Sequence, residues 1–229
     1  YYLSRQGHKH IVLEKASQLA DQWRNQRWDS FSLVTPNWLL QLPGAVYSGN
    51  DPDGFLPRAE MVAYLEEYVR QFSLPVELNT QVKSVKRKGD GFYAVETNHE
   101  NYVSENVVVA TGFFQKPKIP AWSESISKAT CQLHSSRYKN PGALPPGAVL
   151  VVGSGQSGCQ IAEELNANGK KVYLSIGKAG RVPRRYRGKD IIRWLFDTGF
   201  LDLTPEQLPP GMGKFDGIPH LSGSNGGQT

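Results

Sequence analysis

Short apolar runs and one clear helical pattern dominate the distribution of hydrophobic residues along the chain. The run Val149–Val152 is continuous and apolar, which is typical of a parallel strand buried on both faces. Between residues 57 and 72, apolar side chains recur at helical spacing and predict an amphipathic helix. The apolar positions of that helix are Met61, Leu65, Val69 and Phe72, and its acidic, solvated positions are Glu60, Glu66 and Glu67.

A glycine-rich turn directly follows the Val149–Val152 run. Gly153, Gly155 and Gly158 have the G-x-G-x-x-G spacing of a turn that holds a dinucleotide pyrophosphate. We expect the first glycine to permit the tight turn, the second to let backbone N–H groups approach phosphate, and the third to allow close helix packing. An apolar stripe follows and predicts a helix whose positive N-terminal end points at the ligand.

Further strands are predicted on both sides of this turn. Lys171–Ser175 follows Gly169 and completes a β-α-β unit. Other strands are predicted at Val76–Leu78, Val82–Arg87, Phe92–Thr97 and Val107–Ala110. The turn Lys88–Gly91 fits a β-hairpin. The small residues at 110–112, which end the fourth of these strands, permit backbone contact with a ligand.

The first residues have the pattern of the second half of another β-α-β unit. Tyr1–Gln6 is predicted to be the last turn of a helix closed by Gly7, and His10–Glu14 is predicted to be a strand ending in an acid. The first strand and glycine turn of this unit are expected upstream of Tyr1. The sequence therefore predicts an α/β fold with two Rossmann-like domains, each incomplete in a chain cut at both ends.

The end of the second strand bears on the choice of nucleotide. Ser175 stands roughly 20 residues after the glycines, where NAD-binding versions carry an acid. Basic residues follow instead, namely Lys178, Arg181, Arg184, Arg185 and Arg187. Because an arginine fork matches the oxygens of a 2′-phosphate, NADP(H) is favoured over NAD(H), with Arg181 or Arg185 as the contact. A solvated basic loop and a nucleic-acid patch are the alternatives.

Composition limits the function classes. With 39% hydrophobic and 21% charged residues among 229, the chain is expected to be globular, as one large domain or two smaller ones. The net charge of +5 suits anionic cofactors, and no nucleic-acid-binding signature accompanies it. Cys131 and Cys159 form no C-x-x-C pair, which favours a reducing cytoplasm. No apolar run is long enough to cross a bilayer, and no signal peptide is visible.

Two irregular stretches have no assigned role from the pattern alone. The sequence leaves open whether Trp23, Trp28 and Trp38 line a functional segment or cover a core. The proline-rich stretch 115–147 is typical of a connection between domains, and His134 within it is interpreted as a surface histidine.

Five segments carry a family resemblance. They are LEK at Leu13–Lys15, TP at Thr35-Pro36, VVVATGFFQKPKIP at Val107–Pro120, GSGQSG at Gly153–Gly158 and PRRYRGKD at Pro183–Asp190. Together they resemble the flavin-containing monooxygenase superfamily, including bacterial predicted flavoproteins linked to potassium transport and plant indole-3-pyruvate monooxygenases. The ATG turn followed by the G-x-G-x-S-G loop is the most specific part.

The resemblance implies two cofactors and their contacts. Residues 1–114 would form an FAD-binding domain, 115–146 the connection, and 147–229 an NADP-binding domain. The implied FAD contacts are Glu14 (to the ribose hydroxyls), Lys15, Trp23, Arg24, Val82, Ala110, Thr111 and Gly112. The implied NADP(H) contacts are Gly153, Ser154, Gly155, Gln156, Ser157, Gly158, Ser175, Arg181 and Arg185.

The chain departs from one signature of this superfamily, F-x-G-x-x-x-H-x-x-x-(Y/F). His134 and Tyr138 match it, whereas Lys128 and Thr130 stand where Phe and Gly are expected. This departure bears on oxygenation more than on cofactor binding.

The resemblance implies an FAD-containing, NADPH-dependent oxidoreductase, and more narrowly a monooxygenase. NADPH would reduce the flavin, and a flavin C4a-(hydro)peroxide would oxygenate a small nucleophilic or carbonyl substrate. No catalytic residue and no metal site are predicted. A flavin-dependent NADPH reductase without oxygenation and a non-enzymatic NADP(H)-binding regulatory module linked to ion transport stay open. The expected partners are a small-molecule substrate and O₂, with a homo-oligomer left open and no nucleic acid.

Overall fold

The computed structural model describes residues 1–112, 116–177, 181–208 and 220–222. In chain order its helices and strands are α1 (Tyr2–Arg5), β1 (Val12–Leu13), α2 (Asp21–Asn25), β2 (Gln41–Leu42), β3 (Ala45–Val46), α3 (Arg58–Gln71), β4 (Val76–Glu77), β5 (Val82–Arg87), β6 (Tyr93–Thr97), β7 (Asn101–Ser104), β8 (Val149–Val152), α4 (Gln156–Ala167), β9 (Val172–Ser175), β10 (Arg181–Pro183), β11 (Arg185–Tyr186), β12 (Lys189–Asp190), α5 (Ile191–Asp197) and β13 (His220–Ser222). Short 3₁₀ turns lie at Asn37–Leu39, Ala121–Ser125, Pro141–Ala143, Phe200–Asp202 and Pro205–Gln207. No helix within this described part combines the length and the apolar character needed to span a membrane.

The chain divides into two compact units. Unit 1 contains Tyr1–Arg27 and Ala59–Ser136, and unit 2 contains Trp28–Arg58 and Arg137–Thr229. This grouping differs from a simple division of the chain near residue 114, because residues 28–58 group with the C-terminal half. The assignment of the two units to two cofactors stays a prediction.

Unit 1 combines a parallel strand pair with an antiparallel sheet. β1 pairs in parallel with β4, and β5, β6 and β7 form a three-stranded antiparallel sheet. The predicted hairpin is confirmed: Lys88 N–H donates to the Phe92 carbonyl at 2.7 Å, and Gly91 has φ +88°, which favours glycine. The predicted amphipathic helix is confirmed as α3, whose Met61 and Val62 are buried. The acidic side chains predicted on its solvated face are exposed.

The predicted strand at Val107–Ala110 is wrong. These residues form neither helix nor strand, and Val108 and Val109 are 84% and 77% exposed. A strand requires a neighbour that satisfies its backbone N–H and C=O groups. The described residues supply no such neighbour here, so β propensity alone does not produce a strand.

Unit 2 contains the predicted β-α-β unit. β8 and β9 pair in parallel with Val149 opposite Val172, and α4 connects them. The expectation that β8 is buried on both faces is wrong: Val149 and Val151 pack on the core, whereas Leu150 and Val152 are 61% and 53% exposed. The α4 side chains Ile161 and Leu165 join Trp28 and Tyr138 in a buried cluster. Partly buried side chains packed on this cluster are Phe31, Leu144, Val149, Val151 and Val172. Trp28 is therefore a core residue of this unit.

Hydrogen bonds hold residues 28–58 within unit 2. Asp29 N–H donates to the Lys139 carbonyl at 2.8 Å, and Arg58 N–H donates to the Phe31 carbonyl at the same distance. The buried Asn37 donates its side-chain Nδ2 to the Asp51 carbonyl at 2.9 Å. These bonds fix a segment of little regular structure, so its side chains can form a defined surface.

A small hairpin follows β10 in unit 2. β11 and β12 pair antiparallel, with Arg185 opposite Asp190, and Asp190 caps α5 by accepting from Ile192 N–H at 2.8 Å. The helix predicted at 190–198 is thus confirmed, and it ends before Gly199, which has φ +69°.

Candidate nucleotide-binding site

The turn after β8 is tight because of one glycine. Gly153 has φ +101°, a backbone conformation that residues other than glycine rarely adopt. Its N–H donates to the Ser175 carbonyl at 3.0 Å. The turn therefore begins directly after β8, and its first residue is hydrogen-bonded to the last residue of β9. This is the edge of a parallel sheet at which nucleotides bind in doubly wound folds.

The third glycine lets α4 approach the turn. A Cβ atom on Gly158 would lie 2.0 Å from the carbonyl oxygen of Gly153, a separation that real Cβ contacts do not reach. Only a hydrogen atom fits at this position. The close approach of helix and turn that the spacing predicts is present.

The N-terminal end of α4 follows at once. Gly155 is its extended N-cap residue and provides no side-chain cap to the N–H groups of the first turn, which begins with Gln156 and Ser157. Ser154 is buried; its Oγ accepts from Gly177 N–H at 3.3 Å and its carbonyl accepts from Cys159 Sγ at 3.4 Å. The loop is thus held in place while the first-turn amides and the positive end of the helix dipole form an anion-binding arrangement.

The basic cluster divides into residues with different environments. Arg184 is 3% exposed, its Nε donates to Asp190 Oδ2 at 2.6 Å, and its guanidinium lies 4.4 Å from the centre of the Phe55 ring. Burial lowers the pKa of Arg184, and the Asp190 carboxylate acts in the opposite direction. Arg184 is therefore committed to an internal ion pair and is not available as a surface phosphate ligand.

Arg185 and Arg187 are exposed, and the guanidinium of Arg187 lies over the Tyr186 ring. Arg181 belongs to β10, which pairs in parallel with β13. The Arg181 side chain, Lys178 and residues 113–115 of the resembling segment lie outside the described part of the structure.

A polar cleft of about 420 Å³ lies in unit 2. Its lining residues are Ser30, Ser32, Asp51, Asp53, Gly54, Phe55, Pro57 and Arg185. Gln160 of α4 donates its Nε2 to the Ser32 carbonyl at 3.5 Å, so one wall of the cleft is tied to α4 one turn after the glycine loop. The irregular segment therefore contributes to a cleft as well as to the core.

In unit 1, hydrogen bonds to backbone groups fix Glu14, the acidic residue that directly follows β1. Glu14 N–H donates to the Glu77 carbonyl and the Glu14 carbonyl accepts from Thr80 N–H, at 2.8 and 2.9 Å. Its Oε1 accepts from Ala16 N–H at 2.8 Å. The carboxylate thus lies at the carboxyl end of a parallel strand, next to the exposed Lys15.

The other FAD contacts implied by the resemblance are separated in the fold of unit 1. Trp23 and Arg24 lie on α2, where the Arg24 guanidinium pairs with Glu66 of α3 and the Arg27 guanidinium lies over the Trp23 ring. Val82 begins β5 and is 40% exposed. Ala110, Thr111 and Gly112 are exposed outside helices and strands, with Gly112 at φ +74°. A flavin contact by any of these residues stays a prediction.

Sequence reasoning missed two polar pairs that each contain a buried side chain. Tyr138, noted only as part of a family signature, is 4% exposed and donates its hydroxyl to Glu164 Oε2 at 2.7 Å. The Arg184–Asp190 pair lies inside the basic cluster that the sequence favours as a phosphate contact. The only sequence signal for the second pair is an acid six residues after an arginine, which is too common to be informative.

The β-α-β unit, the glycine turn and the helix that begins directly after it are the features of a Rossmann-like α/β fold. Residues 3–195 match the family described as pyridine nucleotide-disulphide oxidoreductase, and the chain belongs to this family. The CzcO-like oxidoreductase of Geobacillus kaustophilus is 46% identical over 204 residues, which cover 89% of this chain and 58% of that protein. Indole-3-pyruvate monooxygenase YUCCA6 of Arabidopsis thaliana is 27% identical over 208 residues, with 84% and 50% covered.

Solved structures give the same result. The flavin-containing monooxygenase of Stenotrophomonas maltophilia superposes with a TM-score of 0.73 at 25% identity, over 86% of this chain and 58% of that one. The resemblance to the flavin-containing monooxygenase superfamily and the α/β fold with Rossmann-like units are confirmed. The chain spans less than two thirds of the length of these relatives.

Proposed function

We propose that this chain carries the nucleotide-binding part of an NADPH-dependent flavoprotein oxidoreductase. The observation that carries the proposal is the approach of Gly158 to Gly153, at which a Cβ atom would lie 2.0 Å from a carbonyl oxygen. This close packing places the N-terminal end of α4 directly after the end of β8. A pyrophosphate bound at that end would accept hydrogen bonds from backbone N–H groups of the first turn and interact favourably with the helix dipole.

We further propose that the nucleotide carries a 2′-phosphate. Ser175 ends β9 without a carboxylate that could accept from a ribose hydroxyl, and a carboxylate there would repel a phosphate. Arg185 is exposed and is the basic residue among those that line the cleft, where Asp51 and Asp53 are the acidic ones. Because the two carboxylates would repel a phosphate, Arg185 is the lining residue that would bind it. Its planar fork suits a phosphate bound through two oxygens. Arg181 remains a second candidate for this contact.

The second cofactor proposed is FAD, in unit 1. Glu14 would accept from the ribose hydroxyls, because its carboxylate lies at the carboxyl end of β1. Lys15, Trp23, Arg24, Val82 and the turn Ala110-Thr111-Gly112 are proposed as further contacts. When bound, a flavin supplies hydride acceptance and the activation of O₂. The residues of the chain bind and orient the two nucleotides and limit the access of water.

Oxygenation of a small nucleophilic or carbonyl substrate is the reaction we propose. The names of two relatives support it, since both the plant and the Stenotrophomonas proteins are called monooxygenases. Simple reduction is the second candidate. A disulfide reductase is not favoured, because Cys131 is exposed, Cys159 is buried, and the two form no C-x-x-C pair.

Two experiments test these proposals. Changing Arg185 to Ala should weaken NADPH binding by roughly tenfold and leave NADH binding within about twofold, because only NADPH carries the 2′-phosphate that Arg185 would contact. Arg187→Ala is the matched control at a neighbouring exposed arginine. Equal losses for both nucleotides would remove the 2′-phosphate assignment. Turnover with NADPH under ¹⁸O₂ separates the two reactions, since label in the product requires oxygenation and its absence requires reduction alone.

A further inference from the structure

Two consecutive arginines of the basic cluster have opposite environments. Arg184 is 3% exposed, whereas Arg185 is exposed and lines the cleft of unit 2. Arg184 lies at the bend between β10 and β11, so its backbone sets the direction in which the chain enters the strand that carries Arg185. The position of Arg185 therefore depends on the contacts that hold Arg184 in place.

Three contacts fix Arg184. Its Nε donates to Asp190 Oδ2 at 2.6 Å, its carbonyl accepts from Ile191 N–H at 2.8 Å, and its guanidinium lies over the Phe55 ring at 4.4 Å. Asp190 is itself 5% exposed and holds the start of α5 through Oδ1. The backbone carbonyl of Arg184, the Nε edge of its guanidinium and one face of the guanidinium are thus each held by a contact.

These contacts reach the cleft from two sides. Phe55, on which the guanidinium lies, lines the cleft, and so does Arg185, the next residue in the chain. One buried side chain thereby connects the wall formed by residues 51–57 with the β11–β12 hairpin. Both parts belong to unit 2.

Stability alone does not account for a charge at this position. Within the described part of the chain, Arg184 Nη2 is buried and has no hydrogen-bond partner. A buried ion pair of this kind can often be replaced by apolar residues of similar size with little loss or with a gain of stability. A role in fixing local geometry explains better why a charged, planar group lies here.

We propose that Arg184 is a positioning residue for nucleotide selectivity. Clamped between Asp190 and Phe55, it holds Arg185 at the cleft so that a nucleotide with a 2′-phosphate is bound in preference to one with a 2′-hydroxyl. This inference rests on the proposed function, in which Arg185 contacts the 2′-phosphate.

The test uses two ligands that differ only in that phosphate. Isothermal titration of the purified protein with 2′,5′-ADP and with 5′-AMP gives a ratio of affinities that does not depend on turnover. Arg184→Lys keeps the charge and removes the planar fork, so the ratio should fall roughly tenfold while 5′-AMP affinity stays within about twofold. Arg187→Lys, at an exposed arginine over Tyr186, should leave the ratio unchanged.

A double variant shows whether Arg184 acts through Arg185. Because a positioning residue has no effect once its target is removed, Arg184→Lys should not lower the ratio further in an Arg185→Ala background. An equal fall in both backgrounds would mean that Arg184 acts independently, and the inference would be overturned.

Failures of the two proposals are distinguishable. If Arg185→Ala leaves the ratio unchanged, the 2′-phosphate contact is wrong and the inference falls with it. If Arg185→Ala lowers the ratio and Arg184→Lys does not, only the positioning role is wrong. Should Arg184→Lys fail to fold, as judged by circular dichroism, Phe55→Leu removes the other half of the clamp. The same fall in the ratio is then expected, and an unchanged ratio would overturn the inference.

Discussion

A Cβ atom on Gly158 would lie 2.0 Å from the carbonyl oxygen of Gly153 and 3.0 Å from its carbonyl carbon. The two glycines therefore depend on each other, one by its positive φ and the other by its missing side chain. Backbone atoms, unlike the end of a flexible side chain, have little freedom to move aside. The spacing of the motif thus has a direct steric cause in this fold.

Gly158→Ala should damage the nucleotide site. The added methyl group forces α4 away from the turn, so we expect the free energy of unfolding to fall by about 1–3 kcal/mol and NADPH affinity to fall at least tenfold. Chemical denaturation and nucleotide titration measure the two effects. Gly89→Ala is the matched control, because a Cβ atom there meets nothing within 4 Å. A Gly158→Ala protein with both values unchanged would contradict the close approach.

Glu14→Gln should weaken flavin binding selectively. Glutamine keeps an acceptor for Ala16 N–H but loses the negative charge, and hydrogen bonds to charged groups contribute about 1.5–3 kcal/mol each. We therefore expect the dissociation constant for FAD to rise about tenfold or more, with NADPH affinity unchanged.

Fluorescence titration with FAD measures this change. Glu60→Gln, on the exposed face of α3, is the control for removing one carboxylate from unit 1. FAD affinity that is equal in the Glu14 variant and in the unmodified protein would remove Glu14 from the proposed flavin site.

The parts of the fold that sequence could predict are those fixed by local chemistry. The β8–turn–α4–β9 unit follows from glycines at a fixed spacing and from apolar periodicity, and the β5–β6 hairpin follows from its turn residues. Val107–Ala110 shows the limit of such reasoning. A strand forms only where another strand offers hydrogen bonds, and residue type does not provide that information.

The candidate site was predictable to a smaller extent. Arg184 and Arg185 are identical in type and adjacent in sequence, yet one is buried on Phe55 and the other lines a cleft. Their difference depends on Phe55, which is more than a hundred positions away in the chain. No local pattern encodes such a contact.

The hydroxyl of Tyr138 should make stability sensitive to alkaline pH. Burial, followed by the hydrogen bond to Glu164, raises the pKa of Tyr138 well above its usual value near 10. The neutral ring is favoured in the folded state, so this contribution is intact below about pH 10 and is lost as the pH rises beyond it. Above that pH, each such group makes the free energy of unfolding fall more steeply, by about 1.4 kcal/mol per pH unit.

Tyr138→Phe removes this contribution. The free energy of unfolding, measured between pH 10.5 and 12, should fall less steeply in the variant than in the unmodified protein. At pH 7 the variant should be less stable by about 1–2 kcal/mol, since Glu164 loses a donor. Tyr186→Phe, at an exposed ring, should change the pH 7 value by less than about 0.5 kcal/mol. Parallel alkaline slopes for the Tyr138 variant and the unmodified protein would show that the hydroxyl titrates as it does when unfolded.

Two aspartates at the ends of α5 should differ sharply in their effect on stability. Asp190 is 5% exposed and pairs with the buried Arg184, whereas Asp197 is 33% exposed and pairs with Lys189 and Arg193 at the surface. Asp190→Ala leaves a buried charge uncompensated and removes the helix cap, so a loss of about 3–5 kcal/mol is expected. Asp197→Ala should cost at most about 1 kcal/mol, and less at high salt, because water and ions screen exposed pairs.

Urea denaturation at low and high salt measures the free energy of unfolding of the two variants. Similar losses for the two variants would mean that Arg184 is hydrated in solution, and the clamp on Phe55 would then lack its physical basis.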